Sequence, residues 1–256
     1  MAEFEIKIAT DAQEIVEAQR LRFQVFNLEL TKGLQSSYQS GLDVDEFDPF
    51  CNHLIVRDTN SKEVVGTYRM MLGAQARHHL GFYSEKEFDL THIRKLDGEL
   101  LELGRSCARK DYRDRALLPL MWEAIADYVR ANRVRYLFGC GSLYTTDVAE
   151  ISAIFALLRN KYYAPDSCRV EPVAGCRFEG LPDLQVGSAE EAALFQKLPS
   201  LIKGYLRIGA LVCGPPALDI EFGTADFFLL LDFGSLKEAY LKRLGMVDVR
   251  GNEAPA

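Results

Sequence analysis

The sequence has few of the features that mark metal-binding, secreted or membrane-spanning proteins. Its six cysteines include no Cys-x-x-Cys pair, so we expect no metal site and interpret them as thiols of a reducing compartment. The first residues, MAEFEIKIAT, lack a basic start followed by an apolar stretch, so we expect no secretory signal peptide. No apolar run approaches the roughly 18 residues that a membrane-spanning helix needs.

Positive charge is also scarce. The 30 Lys and Arg residues are outnumbered by 37 Asp and Glu, which gives a net charge of −7, and no long basic run argues for nucleic-acid binding. With 256 residues and 48% hydrophobic content, the chain can bury a core without metals or disulfides. We therefore expect a cytoplasmic globular protein that makes at most peripheral contact with the inner membrane.

Hydrophobic periodicity predicts alternating strands and helices. Strand-like alternation at Phe4–Ile8 is followed by a capping box, Thr10 and Gln13, which predicts a helix to about Leu30. With the strands and helices that follow, the order counted from Phe4 is β-α-β-β-β-α-β-α, which predicts an α/β fold with a mixed central sheet flanked by helices. We expect this core over residues 1–180, a C-terminal helical extension packed on it over 181–245, and a disordered tail over 246–256.

Six segments together resemble one known family. They are LRFQVF (21–26), DVDEFDPFCNHLIV (43–56), VVGTYRM (64–70), GFYSEKEFDL (81–90), ELGRSCARKDYR (102–113) and KGYLRIGALVCGPPALDIEFGTAD (203–226). In this order they resemble the ornithine lipid synthase family, whose members have the GNAT acyltransferase fold. The resemblance covers nearly the whole chain. It implies transfer of a 3-hydroxy fatty acyl group from acyl carrier protein to the α-amine of L-ornithine, the first step of ornithine lipid biosynthesis.

A more distant similarity is to acyl-homoserine-lactone synthases, which share the fold and the acyl donor. The residues that match their pattern are Arg22, Phe26, Asp45, Asp48, Arg69, Glu102 and Arg105. The chain departs from the acetyl-CoA-dependent members of the fold in the loop that binds pyrophosphate. The glycines of that loop are replaced, with Ala116 and Leu118 at the matching positions, and bulkier side chains hinder close approach of a diphosphate. The departure weakens coenzyme A as donor and leaves a carrier protein open.

The expected reaction needs a base, an oxyanion donor and a leaving thiol. Glu102 is our candidate for the base that removes a proton from the amine, with Arg105 beside it in the Glu-x-x-Arg motif. The alternative is that Glu102 only pairs with an arginine. We place the oxyanion donor at a backbone N–H near Ser106 or Cys107, the segment that would also bind phosphopantetheine.

A second group of residues is predicted to bind the amino-acid acceptor. Asp45 and Asp48 are candidates for holding its cationic amines, and Arg22, Arg69 and Arg105 for its carboxylate, because guanidinium binds carboxylate in a bidentate way. The alternative is a structural network of ion pairs among these same residues. Phe26 is a candidate for lining the acyl site, although the core is the better expectation for any single aromatic.

Basic residues are locally concentrated after Arg105. Arg109, Lys110, Arg113 and Arg115 are predicted to dock the acidic carrier protein, or else to form a solvated loop. The donor is then acyl-phosphopantetheine on its carrier, with no permanently bound cofactor. A functional link to a second, O-acylating enzyme is also expected.

The sequence leaves other functions open. The acceptor could be glycine or another amino acid, or the product could be of the acyl-homoserine-lactone type. The alternative outside the enzymes is that the chain is a non-catalytic scaffold that binds acyl carrier protein or lipid. Glu102 within an intact Glu-x-x-Arg motif favours the enzyme.

Overall fold

Strands and helices alternate along the described residues of the computed structural model, 3–113 and 117–236. The strands are β1 (Phe4–Ile8), β2 (Asn52–Asp58), β3 (Val64–Leu72), β4 (Phe88–Asp89), β5 (Glu99–Ala108), β6 (Val134–Leu143), β7 (Glu171–Pro172), β8 (Leu211–Val212), β9 (Ala217–Asp219) and β10 (Thr224–Asp232). The helices are α1 (Ala12–Phe23), α2 (Ser37–Ser40), α3 (Gly73–His78), α4 (Leu117–Ala131), α5 (Val148–Tyr162), α6 (Ser188–Lys197) and α7 (Ser200–Ile208). A π-helical segment, Gln24–Glu29, continues α1.

The chain divides into two compact units. The first comprises the described parts of Met1–Gly81, Glu99–Arg135 and Gly234–Ala256, and the second comprises Phe82–Gly98 and Tyr136–Phe233. This division differs from the boundary predicted at residue 180, because both units draw on separate stretches of the sequence. The tail predicted at 246–256 and the end of the predicted extension, from residue 237, lie outside the described residues.

The first unit is built on antiparallel strands in the order β1-β2-β3-β5. Strands β2 and β3 are consecutive in the chain and pair as an antiparallel hairpin. Leu21 of helix α1 and Val25 of the π-helical segment pack against Ile55, Val64 and Cys107 of the sheet. Fully burying a Leu or Ile side chain contributes roughly 1.5–3 kcal/mol, so this contact fixes α1 on the strands.

In the second unit, β10 runs antiparallel to β6 and also pairs with β8 and β9. Its residues are almost all buried, as its apolar sequence predicts. Helices α5 and α7 supply Ile154 and Ile202 to a core that contains Phe227 and Leu229. The C-terminal third therefore contributes the strands β8 to β10 as well as the helices α6 and α7.

Helix ends are set by local hydrogen bonds. The predicted capping box of α1 is wrong by one residue: Asp11 is the N-cap and accepts from the backbone N–H of Glu14. Gly209 closes α7 with a φ of 107°, a conformation that glycine adopts without steric cost.

Candidate active site

Strand β5 carries the two residues predicted to be catalytic. Glu102 lies opposite Met71 of β3 and is 5% exposed. The carboxylate of Glu102 is close enough to raise the pKa of the Cys51 thiol, although burial is the larger cause and brings that pKa to about 12. Glu102 therefore lies in a buried environment, where a carboxylate is shielded from bulk water.

The ladder between β3 and β5 is interrupted beside Glu102. Thr67 pairs with Cys107, but Arg69 pairs with Gly104, so β5 has one extra residue between these pairs. Arg105 lies in this bulge with a φ of 47°, a left-handed conformation that costs a non-glycine residue on the order of 1–3 kcal/mol. A β-bulge leaves its extra residue out of the ladder and redirects the neighbouring groups. We call Arg105 and Ser106 the β5 bulge.

Six charged side chains of the first unit form a closed ring of ion pairs, in which each arginine contacts two aspartates and each aspartate contacts two arginines. In order around the ring they are Arg22, Asp48, Arg69, Asp45, Arg105 and Asp43, with N–O distances from 2.5 to 3.4 Å. No side chain in this ion-pair ring is more than 9% exposed. Three positive charges balance three negative ones, so the ring buries no net charge.

Four structural elements bring the ring together. Arg22 comes from the last turn of α1, and Arg69 and Arg105 come from the neighbouring strands β3 and β5. The aspartates come from the loop before β2. Asp48 begins a 3-10 helix there, and its carboxylate also accepts from the Gln19 side chain at 3.1 Å.

The ring sets the charge of its members. Burial alone would raise the pKa of the Asp48 carboxyl, but Arg22 and Arg69 hold that pKa well below its ordinary value. Asp45 behaves in the same way, with Arg69 and Arg105 outweighing its burial, so its pKa is also lowered. Burial and Arg105 would lower the pKa of Arg69, but Asp45 and Asp48 raise it above its ordinary value. Asp45, Asp48 and Arg69 therefore stay ionised across the physiological range.

The neighbouring His53, unlike these three ring members, has a pKa shift that favours its neutral form. Burial lowers the pKa of its imidazole, and its Nε2 lies 3.1 Å from the backbone carbonyl oxygen of Asp48. A neutral imidazole beside Asp48 adds no charge to the balanced ring.

The charged residues predicted to bind the acceptor are thus paired with one another and with Asp43 inside the protein. Arg22 is fully buried between Asp43 and Asp48, and Arg69 lies between Asp45 and Asp48. This geometry favours the structural ion-pair alternative, with aspartates as the partners. Direct binding of the acceptor by these residues stays a prediction. Phe26 is half-buried and packs against the apolar cluster under α1.

The predicted carrier-binding residues begin at the β5 bulge. Ser106 is partly exposed, whereas Cys107 is buried, and burial raises the pKa of its thiol to about 12. A buried, protonated thiol is a poor nucleophile, so this environment does not favour an acyl-cysteine at Cys107.

The basic residues after the bulge are partly neutralised by neighbours. Arg109 pairs with Glu63 at 2.6 Å and with Asp111 at 2.8 Å, and Arg113 pairs with Glu29 at 2.5 Å. Lys110 is exposed, and Arg115 lies outside the described residues. The local positive excess is therefore smaller than the sequence indicates, and docking of a carrier here stays a prediction.

Two features escaped the sequence analysis. One is Asp43, which is fully buried in the ring. The sequence feature that could have identified it is the run of three aspartates at 43, 45 and 48, which matches the three motif arginines in number. The other lies in the second unit, where the side chains of Glu87, Cys140 and Asp226 could hold a metal ion, since their ligand atoms all lie within 4.8 Å of one another. The Ser142 and Thr224 hydroxyls donate to Asp226.

Among the described residues, no helix combines the length and the apolar character needed to cross a membrane.

Comparison with known proteins adds a family and a fold. A model described as acetyltransferase (GNAT) domain matches residues 21–123. An L-ornithine N(alpha)-acyltransferase of Rhodobacter capsulatus is 37% identical, over 93% of both chains. A protein of the same name from Brucella abortus is 34% identical over 94% of this chain and 88% of its own length.

Solved structures support the same fold. The AHL synthase LasI superposes with a TM-score of 0.56 and 14% identity, with full coverage of both chains. FeeM, an N-acyl amino acid synthase from uncultured soil microbes, superposes with a TM-score of 0.52 and 10% identity over 92% of this chain and 93% of its own. The predicted GNAT-like fold is confirmed.

Proposed function

Because the chain belongs to the L-ornithine N(alpha)-acyltransferase family, we propose that it transfers a 3-hydroxy fatty acyl group from acyl carrier protein to the α-amine of L-ornithine. The observation that carries the proposal is the 37% identity with a protein of that name over 93% of both chains. The GNAT domain match agrees with an acyltransferase.

The chemistry is aminolysis of a thioester. The neutral α-amine of ornithine attacks the thioester carbonyl, a C–N bond forms, and collapse of the tetrahedral intermediate breaks the C–S bond. The leaving thiolate takes up a proton and becomes the free phosphopantetheine thiol. The protein must accept a proton from the nitrogen and stabilise the oxyanion.

Glu102 is suited to accept that proton. It is buried, which favours proton uptake by a carboxylate, and it lies three residues from the bulge in the same strand. We assign it the role of general base.

The β5 bulge is suited to stabilise the oxyanion. A backbone N–H near Ser106 or Cys107, redirected by the bulge, would donate to the carbonyl oxygen as negative charge develops on it. This group needs no side chain, so the buried thiol of Cys107 does not have to take part.

The donor assignment follows from the loop after β5. The segment from Arg113 to Leu118 has no glycine, which hinders close approach of the diphosphate of coenzyme A. Phosphopantetheine on a carrier has a single phosphate, and Arg109, Lys110, Arg113 and Arg115 would attract the acidic carrier. No cofactor needs to stay bound between turnovers.

The product places the reaction first in a sequence of two acylations. An N-acylated ornithine with a 3-hydroxy group keeps one hydroxyl that a second, O-acylating enzyme can esterify, which gives an ornithine lipid. The single-chain product is amphiphilic, so we assign the enzyme to the cytoplasm with peripheral contact at the inner membrane.

A donor comparison tests the proposal. The purified protein is incubated with L-ornithine and, in separate reactions, 3-hydroxyacyl carrier protein, the matching acyl-CoA and acetyl-CoA, and free thiol is measured. We expect the carrier-bound donor to have the highest kcat/KM. Faster turnover of acetyl-CoA would overturn the donor assignment.

A further inference from the structure

The β5 bulge depends on contacts outside its own strand. Arg105 adopts a left-handed backbone conformation at the point where the β3–β5 ladder shifts by one residue. An arginine has no intrinsic preference for this conformation, so the surrounding structure must impose it. The groups that bind the Arg105 side chain are therefore candidates for what imposes this backbone conformation.

The Arg105 guanidinium is held by two carboxylates of one loop. Its Nη2 lies 3.0 Å from Asp45 Oδ2, and its Nε lies 3.4 Å from Asp43 Oδ1. The same Asp43 oxygen lies 2.8 Å from Nη2 of Arg22 and accepts from its Nε at 3.0 Å. Asp43 thus connects helix α1 to the β5 bulge.

The Asp43 backbone is fixed as firmly as its side chain. Its N–H donates to the Gln19 carbonyl oxygen of α1 at 3.1 Å, and its carbonyl oxygen accepts from Arg22 Nη2. Since α1 is packed on the sheet, Asp43 transmits the position of a rigid helix to the Arg105 side chain.

We propose that the ion-pair ring, with Asp43 as the link to α1, fixes the β5 bulge in the geometry that thioester aminolysis requires. Asp43 is then a positioning residue, which acts through Arg105 on the backbone N–H groups of Ser106 and Cys107. The catalytic part of this inference rests on the proposed function. A displacement of about 1 Å at a reacting group can cost roughly 10²-fold in rate, so a small relaxation of the bulge has a large effect.

The test compares Asp43→Asn with a matched control, Asp58→Asn. Asp58 is also a buried aspartate of the first unit, and it accepts hydrogen bonds from the Tyr112 hydroxyl and from the backbone of Asn60 and Ser61, but it is not in the ring. Both variants are measured for thermal unfolding, for kcat and KM with 3-hydroxyacyl carrier protein and L-ornithine, and for deuterium uptake of peptides that cover β5.

We expect Asp43→Asn to lower kcat about 10²-fold with smaller changes in KM, and to speed amide exchange at residues 104–107. Asp58→Asn should lose stability without either effect. If Asp43→Asn leaves β5 exchange unchanged, or changes it while kcat per folded molecule stays within about threefold of the wild type, the inference is wrong.

A second variant covers the case in which Asp43→Asn does not fold. Arg105→Lys keeps the ring neutral, but a lysine lacks the planar fork that bridges two carboxylates. It should also speed exchange at residues 104–107 and lower kcat, and normal exchange would overturn the inference. If the wild type does not acylate ornithine, the proposed acceptor fails, while the exchange comparison still decides whether the ring holds the bulge.

Discussion

At the scale of single residues, Glu102 has the most specific assignment. Glu102→Gln keeps the size and most hydrogen bonding but cannot accept a proton. We expect kcat to fall roughly 10²–10⁴-fold, the usual range for a positioned base. The deficit should shrink as pH rises, because more ornithine arrives with a neutral α-amine. The pH–rate profiles of variant and wild type check this.

The alternative for Glu102 is a structural partner of an arginine. In that case Glu102→Gln would leave a buried charge unbalanced and cost roughly 3–5 kcal/mol of stability. A destabilised variant with near-normal kcat per folded molecule and no rescue at high pH would exclude Glu102 as the base.

The lowered pKa of Asp48 leads to a second prediction, about the stability of the folded protein in acid. Arg22 and Arg69 outweigh its burial and lower the pKa of its carboxyl in the folded protein. An aspartate whose folded pKa is lowered contributes stability that is fully present above its unfolded pKa of about 3.9 and is lost as pH falls through the folded value. Asp48→Asn should therefore lower the free energy of unfolding at pH 7 and flatten its decline below about pH 5.

Urea unfolding between pH 3 and pH 7 measures this difference. Asp166→Asn is the control, because the Asp166 side chain is fully exposed (100%) and should contribute little at any pH. A wild-type pH dependence that survives in Asp48→Asn would show that the ring does not govern acid unfolding.

The residue scale also shows what the sequence could reveal about the site. Matching motif positions identified five of the six ring members. Their pairing could not be predicted, because it depends on how the loop before β2 folds over β3 and β5. Asp43 was missed for the same reason: only the folded loop shows that it lies between Arg22 and Arg105.

At the scale of elements, periodicity predicted the long strands and helices well. It missed β4, β7, β8 and β9, which have two or three residues each and are too short for an alternating pattern. The predicted helix to Leu30 is α-helical only to Phe23, and the Leu30 N–H then donates to the Val25 carbonyl oxygen, five residues back. Side-chain periodicity does not distinguish such a π-helical segment from an α-helix.

The close packing of the backbone at Gly214, just after β8, leads to a prediction at the scale of elements. A Cβ placed on Gly214 would lie 2.1 Å from the Val170 carbonyl oxygen, whereas a Cβ on Gly175 would meet nothing within 4 Å. Because the contact is with backbone, it cannot be relieved by a rotamer change. We expect Gly214→Ala to cost more than about 2 kcal/mol of unfolding free energy and Gly175→Ala to stay within about 0.5 kcal/mol.

Chemical denaturation of both variants measures the difference. Equal midpoints for Gly214→Ala and Gly175→Ala would contradict the close approach of residues 170 and 214.

At the scale of the whole molecule, the charge distribution bears on carrier binding. Reversing Arg109 and Lys110 to Glu should raise the KM for acyl carrier protein, more at low salt than at high salt, because exposed charges are screened. The matched control reverses Arg94 and Lys95, an adjacent pair of exposed basic residues in which Arg94, like Arg109, is ion-paired with a glutamate. An unchanged KM at low ionic strength would leave Arg109 and Lys110 as solvated surface.

The fold as a whole was predicted through six motifs in order. The division into two units was not, because the second unit joins Phe82–Gly98 to Tyr136–Phe233, and a linear sequence does not show which separate stretches pack together. The acceptor is also a property of the assembled site, which no single motif encodes.

The identity of the amino-acid acceptor therefore tests the proposed function most directly. The protein is incubated with 3-hydroxyacyl carrier protein and an equimolar mixture of L-ornithine, L-lysine and glycine, and the acylated products are identified by tandem mass spectrometry, with Glu102→Gln as the blank. We expect ornithine acylated on its α-amine as the main product. Predominant acylation of glycine or lysine, attachment to the δ-amine, or no product above the blank would contradict the account.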